Sequence, residues 1–508
     1  MYRIEPELQK TRGNCDVSYL GQSIDTMISQ FMMEEKIDGL TLAIVQAPYI
    51  PRVVGYGMSD RSQRRLASAN TMWPIGPISQ AFAAVAVMQC HERGLLDVKD
   101  PIGKVLPDIS VQWHTITILD LLRHTSGIAD YRNHPDFCPK CNWHFEDLIQ
   151  LIKNKKLQFT PGTQVEQSAT NFLLLTEIIE RVSGSSYHDF ITEHQIRYLG
   201  MRHTGFTEDL KNFQQEDLSK LENPIHQLFK TDGSYIDPTE TAASYDENGD
   251  AIPVLSSSAL RGFSDLWASA QDVSLWDIAL AGGVLIHDAE NRNYIYHSWE
   301  NKEHKEIPAV AGWQFYKHQG LMDIKGSLTG YSCFLSRFTD AKELVCVTLL
   351  ANKEGVDFTN LGRRIAAAFG DNLATNCNEN AHYVLESQFS VDETIERLKA
   401  ELDKQSIPLF AIYDHARNAR EVGLNLRPTT VLVFGSPKVG TLLMQEEQSI
   451  ALELPLRIAV WEDEAGSIWL SFPRLKKMAE IYELQDHTII HNMQKLLEDL
   501  TRAAANIY

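Results

Sequence analysis

The sequence predicts an α/β (α+β) fold, in which helices sandwich a β-sheet beside an all-helical lobe and a small α+β domain follows. Strand-like segments lie at residues 40–46 and 53–56, and the next ones lie at 331–336 and 343–350. We therefore expect one sheet to contain strands from both ends of the first region. A helix-rich stretch lies between them. The segment Pro77 to Arg93 has helical length and is apolar all round, which places it in the interior.

The polar stretch from Asp371 to Glu379 is the best candidate for a linker. We therefore expect an N-terminal extension at 1–20, a first domain at 21–370, a linker at 371–384 and a small α+β domain at 385–508. In the second domain, Ser390 and Glu393 form a capping-box pattern that predicts a helix start. Strands are expected at 408–413 and 429–434, a hairpin at 455–472, and helices near 441–450, 474–482 and 486–503.

Composition narrows the classes of function. The formal charge of −20 disfavours nucleic-acid or anionic-membrane partners, since phosphates would be repelled. The sequence contains no apolar run long enough to cross a membrane and no apolar core of a secretory signal, so we expect no transmembrane segment and a cytoplasmic location. Seven cysteines over 508 residues fit a reducing compartment better than a disulfide framework.

Several segments of the first region carry recognisable motifs. They include WPIGPISQAFAAVAVMQCHERG (73–94), ITILDLLRHTSGIADY (116–131), PGTQVEQSATNF (161–172) and GSLTGYSCFL (326–335). In order and spacing they resemble the serine β-lactamase-related family, which includes class C β-lactamases, penicillin-binding DD-peptidases and esterases. The resemblance covers roughly residues 20–365 and implies the β-lactamase/transpeptidase-like fold.

The resemblance also implies which positions would carry acyl transfer. In the family's S-x-x-K motif the serine attacks the acyl carbon and the lysine assists its deprotonation, because a separation of three places both on one helix face. Here Pro77 replaces the serine and Gln80 replaces the lysine. Proline also lacks the backbone N–H that, in the family, forms half of the oxyanion hole.

The other two motifs are degenerate as well. In Y-x-N the tyrosine and asparagine positions correspond to Gln167 and Ala169, and in K-T-G the lysine position corresponds to Ile324. We therefore interpret the domain as a catalytically inactive pseudoenzyme that uses its cleft to bind an unknown small molecule or protein. Its candidate cleft residues are Gln80, Gln167, Asn171, Lys325, Gly326 and Ser327.

Two other hypotheses stay open. The first is a serine hydrolase of esterase, β-lactamase or peptidase type that uses displaced groups, namely Ser79, Ser126, His124 or Lys325. Two points argue against this hydrolase. Ser79 lies two residues from Pro77 and therefore about 200° around the helix from it. Lys325 points to the strand face opposite Ile324, unless a bulge turns it inward. Ser126 and Ser168 are explained by turn hydrogen bonding or helix capping. The second hypothesis is a purely structural assembly protein.

The segment HPDFCPKCNWH carries a C-x-x-C pair, Cys138 and Cys141, flanked by His134 and His144. These four side chains have the chemistry of a tetrahedral zinc site, although one C-x-x-C pair alone is a weak signal. A redox pair or ordinary loop cysteines are the alternatives. No cofactor is required by the proposed fold, and a structural zinc is the one metal the sequence suggests.

The C-terminal segments RPTTVLVFGSPKVGTLLMQ (427–445) and LELPLRIAVWEDEAGSIWLSF (452–472) resemble domain of unknown function 302. The resemblance implies a compact α+β unit that pairs with a second copy, so a homodimer through this domain is expected. The turn Gly435 to Thr441 superficially resembles a phosphate loop but lacks its lysine. His415 and Lys438 are candidate polar residues of this domain's cleft.

Overall fold

A computed structural model describes the chain, whose contacts divide it into two compact units, Phe31–Gly362 and Asp16–Gln30 with Arg363–Tyr508. Each unit is considered by itself. The described residues are 17–19, 22–47, 49–210, 240–246, 248–256, 258–315, 322–339, 344–370, 373, 382–463, 466–475, 479, 482, 484 and 487–506. Most of the expected extension at 1–20, of the linker at 371–384 and of the helix at 474–482 lies outside these residues, and residues 382–384, expected in the linker, form the start of a strand.

The strands range from two to twelve residues in length. In chain order they are β1 (Ser18–Tyr19), β2 (Gln22–Ser23), β3 (Gly39–Gln46), β4 (Tyr49–Asp60), β5 (Arg65–Leu66), β6 (Trp73–Pro74), β7 (Thr204–Phe206), β8 (Leu266–Ala268), β9 (Trp299–Glu300), β10 (Glu306–Ile307), β11 (Ala309–Val310), β12 (Trp313–Phe315), β13 (Met322–Leu328), β14 (Tyr331–Thr339), β15 (Leu344–Ala351), β16 (His382–Ser387), β17 (Leu409–Asp414), β18 (Thr429–Phe434), β19 (Leu456–Glu462) and β20 (Ile468–Pro473).

The helices between them range from one turn to five. They are α1 (Ile24–Glu35), α2 (Ile78–Glu92), α3 (Ile118–Leu122), α4 (Phe145–Ile152), α5 (Ala169–Ser183), α6 (Tyr187–Ile191), α7 (Arg197–Leu199), α8 (Ala270–Ala281), α9 (Ala289–Tyr296), α10 (Thr359–Ala367), α11 (Val391–Lys404), α12 (His415–Glu421), α13 (Pro437–Glu446) and α14 (Thr488–Ala505). Among the described residues, no helix combines the length and apolar character needed to cross a membrane.

The first unit is organised around an eight-stranded antiparallel sheet with the strand order β11-β12-β13-β14-β15-β3-β4-β5. The sheet joins β3 and β4, early in the chain, directly to β15, as the sequence predicted. Every residue of β3 is buried, which is typical of a strand covered on both faces. Helix α8 packs against β3 and β15, and the buried pair of Asp277 and Arg337 ties that helix to β14.

Helix α2 is the centre of the helical lobe. All thirteen residues from Ile78 to Cys90 are buried, and the helix packs against α5. Because no face of α2 meets solvent along this length, its sequence carries no amphipathic period. These features confirm the sheet, helical lobe and buried central helix that the sequence predicted.

The second unit contains a five-stranded antiparallel sheet with the order β16-β20-β19-β18-β17. Helices α11 and α14 pack against each other and against this sheet. Ser390 Oγ accepts a hydrogen bond from the Glu393 N–H at 3.3 Å, so the predicted helix start is correct. The strand predicted at 429–434 and the hairpin predicted at 455–472 also occur.

Candidate functional site

The first residue of interest is Pro77, which caps the N-terminus of α2 with φ −60° and ψ −16°. Its ring packs against Gly326 on β13. A Cβ placed on Gly326 would lie 2.6 Å from Pro77 Cγ, closer than non-bonded carbon atoms approach, and 3.3 Å from Pro77 Cδ, a tight contact. The proline ring therefore fills the space between the helix and the strand, and only glycine fits opposite it.

Gly312 brings two further motif positions to the same place. A Cβ on this residue would lie 3.1 Å from Pro77 O and 3.6 Å from both Gln80 Cβ and Ile324 Cγ2. Gly312 has φ +87°, a conformation that favours glycine. Positions Pro77, Gln80 and Ile324 thus converge as the resemblance implies, although none of them offers a nucleophile or a titratable group.

A hydrogen-bonded network centred on His124 lies beside Gln80. His124 Nδ1 accepts from the Ser168 backbone N–H at 3.3 Å and from Asn171 Nδ2 at 3.1 Å. Since Nδ1 acts as an acceptor, the ring proton is on Nε2, which donates to Gln80 Oε1 at 3.1 Å. The imidazole therefore joins α2, α5 and the turn at residue 124, and its acceptor nitrogen is occupied.

Ser126 extends the network without meeting the imidazole. Its hydroxyl donates to Asn171 Oδ1 at 2.6 Å and accepts from the Ile128 N–H at 3.1 Å. A serine whose proton is held by a neutral amide is not activated for attack. The turn role expected from the sequence is confirmed for Ser126.

Burial determines the protonation state of His124. The side chain is 4% exposed, and desolvation lowers its pKa to about 4, opposed by the charge of Asp130 and reinforced by that of Arg132. At neutral pH the ring is uncharged. It supplies fixed hydrogen bonds rather than a positive charge or a proton.

Two buried polar atoms in this region have no hydrogen-bond partner among the described residues: Gln80 Nε2 and Ser168 Oγ. Burying such groups unpaired costs about 1–3 kcal/mol each. Ser168 precedes α5, but its side chain makes no capping hydrogen bond, so the capping role expected for it is wrong. The Gln80 Nε2 donor and the Ser168 hydroxyl are thus both unpaired beside His124.

The other residues of the second motif are divided between the interior and the surface. Ala169 and Asn171 are buried at the start of α5, where the Ala169 N–H donates to Asp130 Oδ2 at 3.1 Å. Gln167 is exposed in the turn before that helix. Of the predicted cleft residues in this segment, Asn171 therefore belongs to the His124 network and Gln167 lies outside it.

Lys325 and Ser327 require a correction, since neither side chain faces Pro77. Lys325 Nζ donates to Thr359 Oγ1 at 2.7 Å, and Ser327 Oγ accepts from the Gly355 N–H at 2.9 Å. The β13–β14 register runs without a bulge from Met322 to Leu328, so these two residues occupy the face opposite Ile324 and Gly326. Alternation along the strand removes them from the predicted cleft.

Ser79 also points away from the motif positions. It is fully buried, and its Oγ accepts from the Leu266 N–H at 3.3 Å. This placement agrees with the 200° rotation from Pro77 expected along the helix.

The C-x-x-C segment forms a local disulfide between Cys138 and Cys141. His134 Nδ1 accepts from the Asp136 N–H, and His144 precedes α4 without a side-chain cap. Within the described ranges no group of three or more metal-ligating side chains occurs. In the disulfide the two sulfurs are not thiolates, the form that zinc requires, and the zinc site stays a prediction.

Sequence reasoning missed Cys333, which lies beside the start of α2. A Cβ on Gly76 would be 3.4 Å from its sulfur, and Cys333 pairs directly with Gly326 across β13 and β14. The two-residue turn Thr329-Gly330 would have given this register. Burial raises the pKa of the Cys333 thiol to about 12, so it is not a substitute nucleophile.

Comparisons with known families agree with this geometry. The family model described as Beta-lactamase matches residues 24–369, more than half of the chain. The model described as Domain of unknown function DUF302 matches residues 383–507. Both resemblances expected from the motifs are confirmed.

Two curated bacterial proteins illustrate the sequence similarity. Protein flp of Staphylococcus aureus (strain MW2) is 31% identical over 191 residues, which are 37% of this chain and 38% of that protein. Putative penicillin-binding protein PbpX of Bacillus subtilis (strain 168) is 28% identical over 321 residues, which are 63% of this chain and 72% of that protein. The chain thus spans well under half of the first relative.

Solved structures share the fold at low identity. The penicillin-binding protein from Bacillus halodurans matches with a TM-score of 0.51 and 19% identity, over 67% of this chain and 98% of that chain. The octameric penicillin-binding protein homologue from Pyrococcus abyssi matches with a TM-score of 0.54 and 18% identity, over 88% and 89%. A class C β-lactamase has a TM-score of 0.53 and 18% identity, over 68% and 94%.

The buried His124 predicts a pH-dependent stability. In the unfolded chain histidine binds a proton below about pH 6.5, whereas in the folded protein His124 does so only below about pH 4. Unfolding therefore takes up a proton between these values, and stability falls as the pH is lowered through this window. We expect the free energy of unfolding to fall by about 3 kcal/mol more in the wild type than in His124→Gln, measured by urea denaturation from pH 7 to pH 4.

His304→Gln, at an exposed histidine, serves as the matched control and should keep the wild-type pH dependence. Equal pH dependence in wild type and His124→Gln would contradict the neutral, buried assignment of the ring.

Proposed function

This chain belongs to the β-lactamase family, and we propose that it is a catalytically inactive member that uses the cleft of its first domain to bind a ligand or partner. The observation that carries the proposal is the placement of Pro77 at the start of α2, with its ring against Gly326. At this position the chain has neither a hydroxyl to acylate nor an N–H to stabilise an oxyanion. Loss of one such donor alone costs about 100- to 1000-fold in rate.

The groups around Pro77 support inactivity in a second way. Gln80, which occupies the lysine position, donates and accepts hydrogen bonds but does not exchange a proton at neutral pH. Its oxygen is already bound to His124. The alternative hydrolase would need a serine next to a free base. The hydrogen bonds described above already involve the candidate groups, namely Ser79, Ser126, His124 and Lys325.

A binding role is supported by the two unpaired atoms beside His124. Gln80 Nε2 is a donor and Ser168 Oγ is a donor and an acceptor, and both are buried. A ligand with a carbonyl or hydroxyl group would satisfy them. Because the charges of Asp130 and Arg132 beside the network are already paired with each other at 2.7 Å, a neutral polar group is favoured.

Covalent labelling tests the inactivity. The full-length protein is incubated with a fluorescent penicillin and, separately, with a fluorophosphonate, and labelling is quantified on a gel. The wild type is expected to remain unlabelled, whereas a variant with the family residues restored, Pro77→Ser, Gln80→Lys, Gln167→Tyr, Ala169→Asn and Ile324→Lys, is expected to gain labelling. The restored variant controls for access of the probe to the cleft.

Labelling of the wild type at a discrete serine, abolished when that serine becomes alanine, would support the displaced-group hydrolase instead. Ser79, Ser126 and Ser168 are the first positions to substitute.

We further propose that the chain forms a homodimer through the edge of the second sheet. Strand β17 is an edge strand, and Phe410, Ile412 and Tyr413 on it are between 42% and 51% exposed. An edge strand with exposed apolar side chains presents unpaired N–H and C=O groups to another chain. Antiparallel pairing of two β17 strands about a two-fold axis would satisfy those groups and cover the side chains.

Sedimentation velocity tests the dimer. Ile412→Lys is expected to weaken dimerisation at least tenfold, because it places a charge at the centre of the paired edge. Val111→Lys makes the same substitution at an exposed apolar residue of the first unit and should leave the wild-type behaviour unchanged. A wild type that stays monomeric throughout the micromolar range would exclude the dimer.

A further inference from the structure

A cavity of about 730 Å³ lies within the second unit, between α13, α14 and the segment that leads into β19. Its walls are apolar, and they include Phe410, Val439, Met444, Leu454, Ile489 and Leu496. The turn Gly435 to Thr441, in which the sequence suggested a phosphate loop, forms one wall. His415 and Lys438 do not line this cavity.

Helix α14 has two apolar stripes, of which one is buried in the core and contributes only Met493 to the cavity wall. Ile490, Met493, Leu497, Leu500 and Ala504 are buried and recur every three or four residues. The neighbouring stripe, Ile489 and Leu496, is separated by seven residues and lines the cavity. A helix that needed only to cover the sheet would carry polar residues at these two positions.

Helix α13 shows the same division. Leu443 is buried in the core, whereas Gly440 and Met444, four residues apart, face the cavity. A Cβ on Gly440 would have only Leu454 Cδ1, at 3.5 Å, and Met444 Cε, at 4.0 Å, within contact range. The space is therefore held open by the missing side chain at Gly440.

We propose that this cavity binds a neutral, predominantly apolar small molecule. Its volume falls in the range of about 300–1000 Å³ that is typical of small-molecule sites. None of the described residues that line it is charged, so an ionic ligand would lose hydration without a counter-charge among them. Ser436 and Asn492 lie on its wall and offer hydrogen bonds to one or two polar groups of the ligand, while the Thr441 hydroxyl donates to Pro437 O.

The cavity is a pocket rather than a docking face, because its walls come from several separate segments of the chain, at 407–410, 435–444, 451–456 and 489–496. Walls that converge from several directions enclose a compact molecule, whereas a protein partner buries a broader and flatter surface. The site is independent of the proposed role of the first domain, since none of its residues lies there.

Titration of the full-length protein with N-phenyl-1-naphthylamine, a neutral fluorescent probe, tests the site. Wild type is expected to bind one probe per chain saturably. Gly440→Leu is expected to weaken binding at least tenfold, because the new side chain projects into the cavity and takes space from the probe. Leucine is a better helix former than glycine, so α13 should be retained, and circular dichroism checks this.

Gln445→Leu adds the same side chain to an exposed position of α13 outside the cavity and should bind the probe like wild type. Leu496→Lys is a second cavity variant and should also lose affinity at least tenfold. Non-saturable binding, or equal affinity in Gly440→Leu and wild type, would overturn the proposal. So would probe affinity that falls as the protein self-associates, since a second copy would then be the occupant.

Discussion

The contact between the Pro77 ring and Gly326 is the constraint on which the account of the first domain depends. It joins the start of the buried helix α2 to strand β13, the two elements between which acyl transfer takes place in active members of the family. A proline is well suited to the start of a helix, where its missing N–H would have no partner within the helix. The same residue leaves the position without a nucleophile or an oxyanion donor, and the proposed inactivity depends on this loss.

The hydrogen bonds around His124 connect the motif positions of the helical lobe through an uncharged ring. A lysine at position 80 would be a buried cation next to the imidazole. Gln80, in contrast, is uncharged, and its Oε1 accepts a hydrogen bond from the His124 Nε2–H. The neutral ring then accepts from Ser168 and Asn171 on the other side. Three elements of the helical lobe are joined by these bonds, and the remaining donor of Gln80, its Nε2, is buried without a hydrogen-bond partner among the described residues.

Much of this architecture could be predicted from the sequence. The run after Pro77 predicts a buried helix because apolar residues occur on all its faces, without an amphipathic period. The alternation of side chains along a strand correctly places Ile324 and Lys325 on opposite faces. Both predictions depend on local geometry that a sequence determines directly. The motif spacing was sufficient to bring Pro77, Gln80 and Ile324 to one place.

Other features depend on contacts between residues distant in sequence. The unpaired Oγ of Ser168 and the central position of His124 follow from how α2 and α5 approach each other, which no periodicity encodes. The cavity of the second unit was missed for a related reason. Gly440 reads as part of a tight turn, and only the packing of α13 beside α14 shows that its missing side chain leaves a space.

A double-mutant cycle of Pro77→Ala and Gly326→Ala tests the central contact most directly. In the wild-type background Gly326→Ala should lower the free energy of unfolding by about 1–3 kcal/mol, because the added Cβ overlaps the proline ring. In the Pro77→Ala background most of this loss should disappear, giving a coupling energy above about 1 kcal/mol. The same cost in both backgrounds would show that the ring does not fill the space between α2 and β13, and would contradict the account.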